Sequence, residues 1–114
     1  MIINQTKKKI ISASERSAKN ILTQARGLMF RKKQNLIMFF KEERTISLHN
    51  FFVFFPHTVI LLNKNKEIVE IKAGFQPFTT YAPKHQAQYL IELAIPAETA
   101  EYEVGDKLEF YGKS

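Results

Sequence analysis

The chain reads as mostly β (α+β): a small antiparallel β-sandwich or partly closed barrel of about six or seven strands, with one amphipathic helix packed on it. Three observations predict this. Apolar runs of strand length recur after residue 35, with turn residues about every 8–12 positions. Only one segment, near residues 13–29, carries apolar residues at helical spacing. Strand and helix patterns do not alternate along the chain, which argues against a doubly wound parallel sheet.

Lys8 to Ile11 reads as a short first strand. Ser12 and Glu15 then have the spacing of a capping box, which satisfies free backbone N–H groups at a helix start. Ala18, Ile21, Leu22, Ala25, Leu28 and Met29 follow on one helical face, with Arg16, Lys19, Thr23 and Arg26 opposite. This predicts a helix from about Ala13 to Arg26, terminated near Gly27. Leu36 to Phe40 is an apolar run of strand length, and Lys41-Glu42-Glu43-Arg44 reads as a polar turn. Thr45 to Phe55 begins with alternation and ends in Phe51-Phe52-Val53-Phe54-Phe55, a run expected to be buried on both sides. Pro56 must interrupt that ladder. Thr58 to Leu62 and Glu67 to Ala73 flank Asn63-Lys64-Asn65-Lys66, read as a hairpin with Asn at the left-handed position. Gly74 to Lys84 reads as an ordered loop. Gln88 to Ile95 alternates, with Tyr89, Ile91, Leu93 and Ile95 on one side, and Pro96 ends it. Gly105-Asp106 is a turn before a last strand, Lys107 to Tyr111, with Leu108 and Phe110 facing inward.

At 114 residues the sequence is read as one domain, 1–114, with its core at about residues 8–111. That length can bury a core without metal or disulfide support. Ten Phe and four Tyr make the core aromatic-rich, and the absence of Cys excludes disulfides, thiol catalysis and Cys-based zinc sites. The first residues lack the order of a secretory signal, and no window approaches the roughly 18 apolar residues of a membrane span. A cytoplasmic, non-membrane protein is expected. The formal net charge of +6 is unevenly placed. Residues 1–45 hold eleven Lys and Arg against three Glu, and the remainder is slightly acidic.

Ala25-Arg26-Gly27-Leu28-Met29-Phe30-Arg31 opens a longer pattern. It continues through Phe51 to Pro56 with Val59-Ile60-Leu61-Leu62, then Ile68-Val69-Glu70, Pro77-Phe78 with Tyr81 and Pro83, Tyr89-Leu90-Ile91-Glu92-Leu93 and Val104-Gly105-Asp106-Lys107-Leu108. In order and spacing this resembles the domain of unknown function 192 family, in its archaeal form. The resemblance implies a compact, mostly β domain with one helix and brings no established activity, cofactor or substrate. This chain departs from the family pattern at four positions. Asn50 stands for a usual Met, His57-Thr58 for a Leu-Asp or Ile-Asp pair, and Asn63 for a usual Asp.

Candidate functional residues follow from charge. Arg16, Lys19, Arg26, Arg31, Lys32 and Lys33 form a candidate anion-binding patch, since guanidinium and ammonium groups suit phosphates. Arg26, in the last helical turn, equally suits a structural role on helix-terminal carbonyls. Lys7-Lys8-Lys9 adds to the basic half, but no zinc-finger, RNP1-like or GXXG signature accompanies it. His49, His57 and His85 lack metal-ligand spacing, and His49 reads as a surface residue. The acids Glu98, Glu101, Glu103, Asp106 and Glu109 read as solvating charge, with Asp106 capping its turn. No nucleophile elbow, P-loop or dinucleotide fingerprint is present. Neither catalytic residues, nor a cofactor, nor a metal is assigned. The reading is a non-catalytic accessory or binding module of unidentified partner. The alternatives are a weak nucleic-acid-associated protein and an enzyme whose site has no sequence signature.

Overall fold

The computed structural model describes residues 1–18, 35–46, 48–49, 57–76, 79–94 and 101–111, without the side chains of Arg16, Ala18, Leu48 and His49. Ten strands lie within these residues: β1 Ile2–Asn4, β2 Lys9–Ser12, β3 Glu15–Ala18, β4 Asn35–Arg44, β5 Leu48–His49, β6 His57–Leu62, β7 Ile68–Phe75, β8 Thr80–Tyr81, β9 Ala87–Leu93 and β10 Leu108–Phe110. They form a five-stranded sheet ordered β3-β4-β9-β6-β7, a three-stranded sheet ordered β10-β1-β2, and a two-stranded sheet of β5 and β8. Every pairing is antiparallel except that of β3 with β4. The sheets stay open, and no barrel closes among the described residues.

The inner strands of the five-stranded sheet are buried on both faces through most of β6 and the second half of β9, although β9 reads as alternating in the sequence. On one face Ile37, Ile60, Leu62, Ile91 and Leu93 pack against Ile2, Ile11 and Leu108 of the three-stranded sheet. Phe39, Tyr89 and Phe110 close the edge of that layer edge-to-face, at centroid distances of 5.9, 6.0 and 5.3 Å. On the other face Leu36, Met38, Val59, Leu61 and Leu90 pack with Ile46, Phe75, Ala87 and the half-buried Tyr81.

The expected helix start is corrected. Glu15–Ala18 is a strand, paired in register with Asn35–Met38, so the proposed Ala13–Arg26 helix does not begin there. Both members of the supposed capping box are engaged elsewhere. Ser12 Oγ donates to Ser14 O at 3.0 Å and accepts from Asn35 Nδ2 at 2.9 Å. The Glu15 carboxylate accepts from the Met1 amine at 2.6 Å. A cap is worth about 1 kcal/mol, and a ladder of backbone bonds along β4 outweighs it. Parallel neighbours need a connection of a dozen or more residues, and Ala18 and Asn35 are far enough apart in sequence to allow one. The remainder of the proposed helix, with Ile21, Leu22, Ala25 and Leu28, lies outside the described residues, as does the run Phe51 to Pro56.

Three further readings change. Ile2–Asn4 is a strand with Ile2 fully buried, although its apolar run was too short to stand out. Lys41 to Arg44 continues β4 rather than turning. A half-exposed strand tolerates charge, and Arg44 sits over the Phe40 ring. Gly74 and Phe75 belong to β7, not to a loop.

Gly74 has φ +64° and lies at a bulge where the register shifts between His57↔Phe75 and Val59↔Lys72. The extra residue sets Phe75 opposite His57 and on the buried face. Exchange of Gly74 for Ala is expected to cost about 1–2 kcal/mol through the left-handed backbone alone. An added Cβ would meet only Gln76 Nε2, at 3.8 Å. A thermal melt losing less than about 0.3 kcal/mol would show that the bulge relaxes.

The hairpin at 63–67 forms, but its left-handed residue is Lys66, at φ +64°. Asn63 instead caps the turn with its side chain, Oδ1 accepting from the N–H of Asn65 at 2.9 Å and of Glu67 at 3.0 Å. The amide oxygen accepts as an Asp carboxylate would, and Nδ2 also donates to Glu67 at 3.1 Å.

Candidate functional site

Three polar clusters stand out against this apolar frame. The first lies inside it. His57 opens β6 on the same face as Val59 and Leu61, and Glu92 lies on β9 on the same face as Leu90. Thr58 is opposite Leu93 and Val59 opposite Glu92, so His57 and Glu92 meet diagonally across neighbouring strands. His57 Nε2 stands 3.0 Å from Glu92 Oε1, with both side chains 1 % exposed. The Phe75 ring packs against the imidazole at 5.3 Å. Burying a carboxylate is costly unless it has a partner, and the imidazole supplies one.

The second cluster is centred on Glu70 of the edge strand β7. Its carboxylate accepts from the Tyr81 hydroxyl, from His85 Nδ1 at 2.8 Å, and from the backbone N–H groups of Lys84 at 2.9 Å and His85 at 3.1 Å. Burial pushes this carboxyl up, but the hydrogen bonds from Tyr81, His85 and the two backbone groups outweigh it and hold the group below its ordinary value. Burial, the Glu70 hydrogen bond and its charge push the Tyr81 hydroxyl well up. Tyr81 also contacts Phe75 at 6.0 Å and lies beneath Lys72 Nζ at 5.9 Å.

The third cluster joins the chain's ends. Asn4 Nδ2 donates to Asp106 Oδ2 at 2.7 Å and to Glu101 O at 2.8 Å. Lys7 Nζ bridges Glu103 at 2.8 Å and Asp106 at 3.1 Å. Asp106 Oδ2 also accepts from Glu103 N–H at 3.0 Å, the expected turn cap. Asp106 is buried, so its reading as solvating charge is corrected. Gly105, at φ +97°, lets this turn dock on Ile68 through paired backbone bonds.

Burial raises the Asp106 carboxyl, but Asn4, Lys7 and the Glu103 N–H lower it by more. Asp106 and Glu70 are thus both depressed in the folded state. Such groups contribute stability above the unfolded carboxyl value of about 4, lost as pH falls through the native values. Urea midpoints are expected to fall on acidification below about pH 4.5, and less steeply in Asp106→Asn. Equal slopes in the two proteins would show that Asp106 is not linked to folding.

The patch inferred from charge is not assembled by the described residues. Arg16 sits on strand β3 rather than on a helix. Lys19, Arg26, Arg31, Lys32 and Lys33 lie outside the described residues, as do Asn50 and the side chain of His49. Lys8 and Lys9 are exposed, while Lys7 is drawn onto acids. Among the described residues no group of three His, Cys or carboxylates could hold a metal ion, and no helix could cross a membrane. The His57–Glu92 and Glu70–Tyr81–His85 groupings were missed from sequence. Glu92, with burial expected on either side, was the available signal, because a carboxylate there requires a partner.

A mostly β architecture of open sheets, with polar pairs buried between its strands and turns, defines the class of protein. The chain belongs to the domain of unknown function 192 family, described as "Uncharacterized ACR", whose family model matches residues 2–110. It is 36% identical to a UPF0127 protein of Pyrococcus furiosus over 113 residues, 96% of this chain and 97% of that one. It is 31% identical to a UPF0127 protein of Pyrococcus horikoshii over 115 residues, 97% and 99% of the two chains. A crystal structure of a protein of unknown function from Novosphingobium aromaticivorans shares the fold with a TM-score of 0.80 at 19% identity, covering 96% of this chain and 82% of that one. A second, from Sinorhizobium meliloti and described as a candidate transcription regulator, has a TM-score of 0.78 at 19% identity, covering 95% and 88%.

Proposed function

We propose that this protein is a cytoplasmic, non-catalytic binding module. The observation that carries this reading is the use made of the carboxylates in its family segments. Glu70, Glu92 and Asp106 each hold strands or loops together. A general acid or base needs a reacting group within hydrogen-bond reach, and the carboxylate oxygens named above contact the protein's own groups. The test is chromosomal replacement with Glu70→Gln, Glu92→Gln or Asp106→Asn, scored by growth against a deletion strain that shows a defect. The purified variants are melted in parallel. Any growth defect is expected to follow the loss in melting temperature. A full defect in a variant whose melting temperature is unchanged would overturn the reading in favour of an enzyme.

A second reading, weak polyanion binding by the basic N-terminal half, draws on the exposed Lys8 and Lys9. The Sinorhizobium neighbour's description as a candidate transcription regulator points the same way, though likeness at that identity concerns the fold. Mixed-sequence RNA and DNA are expected to bind only at low salt, with dissociation constants of about 10⁻⁴ to 10⁻⁶ M. Changing Lys8, Lys9, Arg31, Lys32 and Lys33 to Ala should remove that binding. Tight binding that persists at physiological salt would make this the primary function, and no binding at low salt would eliminate it.

A further inference from the structure

We propose that the outer face of the three-stranded sheet β10-β1-β2 docks an acidic segment of a partner protein, one that carries aliphatic side chains beside its carboxylates. Side chains alternate across a strand. Ile2, Ile11 and Leu108 turn inward onto the five-stranded sheet, so Met1, Ile3 and Gln5 turn outward. Ile10 stands opposite Ile3 on β2, and Tyr111 is bonded through its backbone to Met1.

Two properties meet on this face. The first is exposed apolar surface. Four large hydrophobic side chains are exposed among the described residues, and three of them lie here: Ile10 at 54 %, Tyr111 at 51 % and Met1 at 39 %. Exposed apolar side chains that are grouped, rather than scattered, mark interaction sites. The second is positive charge at one end. Ile3, Gln5, Lys8, Lys9 and Ile10 line an open groove of about 600 Å³. Lys7 is drawn away onto Glu103 and Asp106. Lys8, Lys9 and Lys107 are exposed, with no carboxylate of a described residue paired to them. Glu109 lies across Ile3 from Ile10 and is not part of the groove.

The occupant follows from this combination. A cationic groove with aliphatic walls complements carboxylates set next to aliphatic side chains. Single-stranded nucleic acid stacks on aromatic rings, whereas the apolar walls of this groove are isoleucine. A two-fold contact with a second copy would set the same lysines against one another. An anionic bilayer would have to take up the charge of Glu109, half-buried on the same sheet. The proposal rests on the binding-module reading and names the chemistry of its partner.

Short random peptides displayed on phage, selected on the full chain at low salt, test the assignment. The enriched peptides are then synthesised and titrated. They are expected to combine Asp or Glu with Ile, Leu or Val, and to shift the amide resonances of Ile3, Gln5 and Ile10. Ile10→Ser should weaken them about fivefold or more, the scale of losing one aliphatic contact, with the melting temperature unchanged. Lys8→Ala with Lys9→Ala should weaken them at least about tenfold at low salt and less at high salt. The proposal is overturned by no enrichment, by enriched sequences without acids, by shifts on another face, or by affinities that neither variant changes. Tighter binding of mixed-sequence RNA, or of phosphatidylcholine vesicles containing phosphatidylserine, through the same side chains would overturn it in favour of those ligands. A concentration-dependent dimer that Ile10→Ser abolishes would assign the face to a second copy. Any of these failures leaves the binding-module reading to the growth test with Glu70, Glu92 and Asp106, whose variants leave these lysines and isoleucines in place.

Discussion

Exchange of Glu92 for Ala is expected to lower stability by about 3–5 kcal/mol, the largest effect of any polar substitution here. The carboxylate is 1 % exposed and 3.0 Å from an imidazole that is equally enclosed. Truncation leaves His57 without that partner inside the sheet face and opens a cavity beside Phe75. The double change His57→Leu with Glu92→Met is expected to cost less than Glu92→Ala, because replacing both partners with apolar groups strands neither. Urea unfolding of the three proteins gives the comparison. A double variant at least as damaged as Glu92→Ala would show that the pair is held by more than its mutual contact.

Ile91→Ala should cost about 2–5 kcal/mol. Ile91 is fully buried in β9, the middle strand of five, and lies in register between Ile37 of β4 and Ile60 of β6. The three isoleucines form one row facing Ile2 and Leu108 of the other sheet. Rigid flanking strands cannot collapse into the space vacated, so the cost should fall toward the upper part of that range. Net stabilities are about 5–15 kcal/mol, so this one change removes a large share. The urea midpoint should drop with the slope unchanged. A loss under about 1 kcal/mol would mean the two layers are not packed as the register implies.

The strands that are apolar on both sides were legible before any coordinate. His57–Leu62 and Ala87–Leu93 fall within a residue or two of the runs read at Thr58 to Leu62 and Gln88 to Ile95. Val59-Ile60-Leu61-Leu62 is an apolar run of strand length, and β9 was legible through the alternation that places Tyr89, Ile91 and Leu93 on one side. The turns at Asn63 and Gly105 were legible as well, since their chemistry is local. The start of the helix was misread for the same reason. Ser12 and Glu15 make a local capping signal, and a partner strand that pairs twenty positions on from Glu15 decided the outcome. The charged end of β4 was misread as a turn because one exposed strand face carries the same residues as a loop.

By itself the sequence determined that the chain is mostly β and, through the order and spacing of its motifs, its family. It also determined the absence of thiol chemistry and the concentration of positive charge in its first half. The mostly β character and the charge distribution depend on composition and on periodicity over a few residues, and the family on a motif order, all of which survive without knowledge of spatial neighbours. Only the tertiary structure decided that Glu92 meets His57, that Glu70 gathers Tyr81 and His85, and that Asn4 closes on Asp106. Each pair joins residues set apart along the chain by 11 to 102 positions. Strand order and register bring them together, and a bulge at Gly74 directs Phe75 inward beside His57. Register is a property of paired strands, so no single strand's sequence contains it.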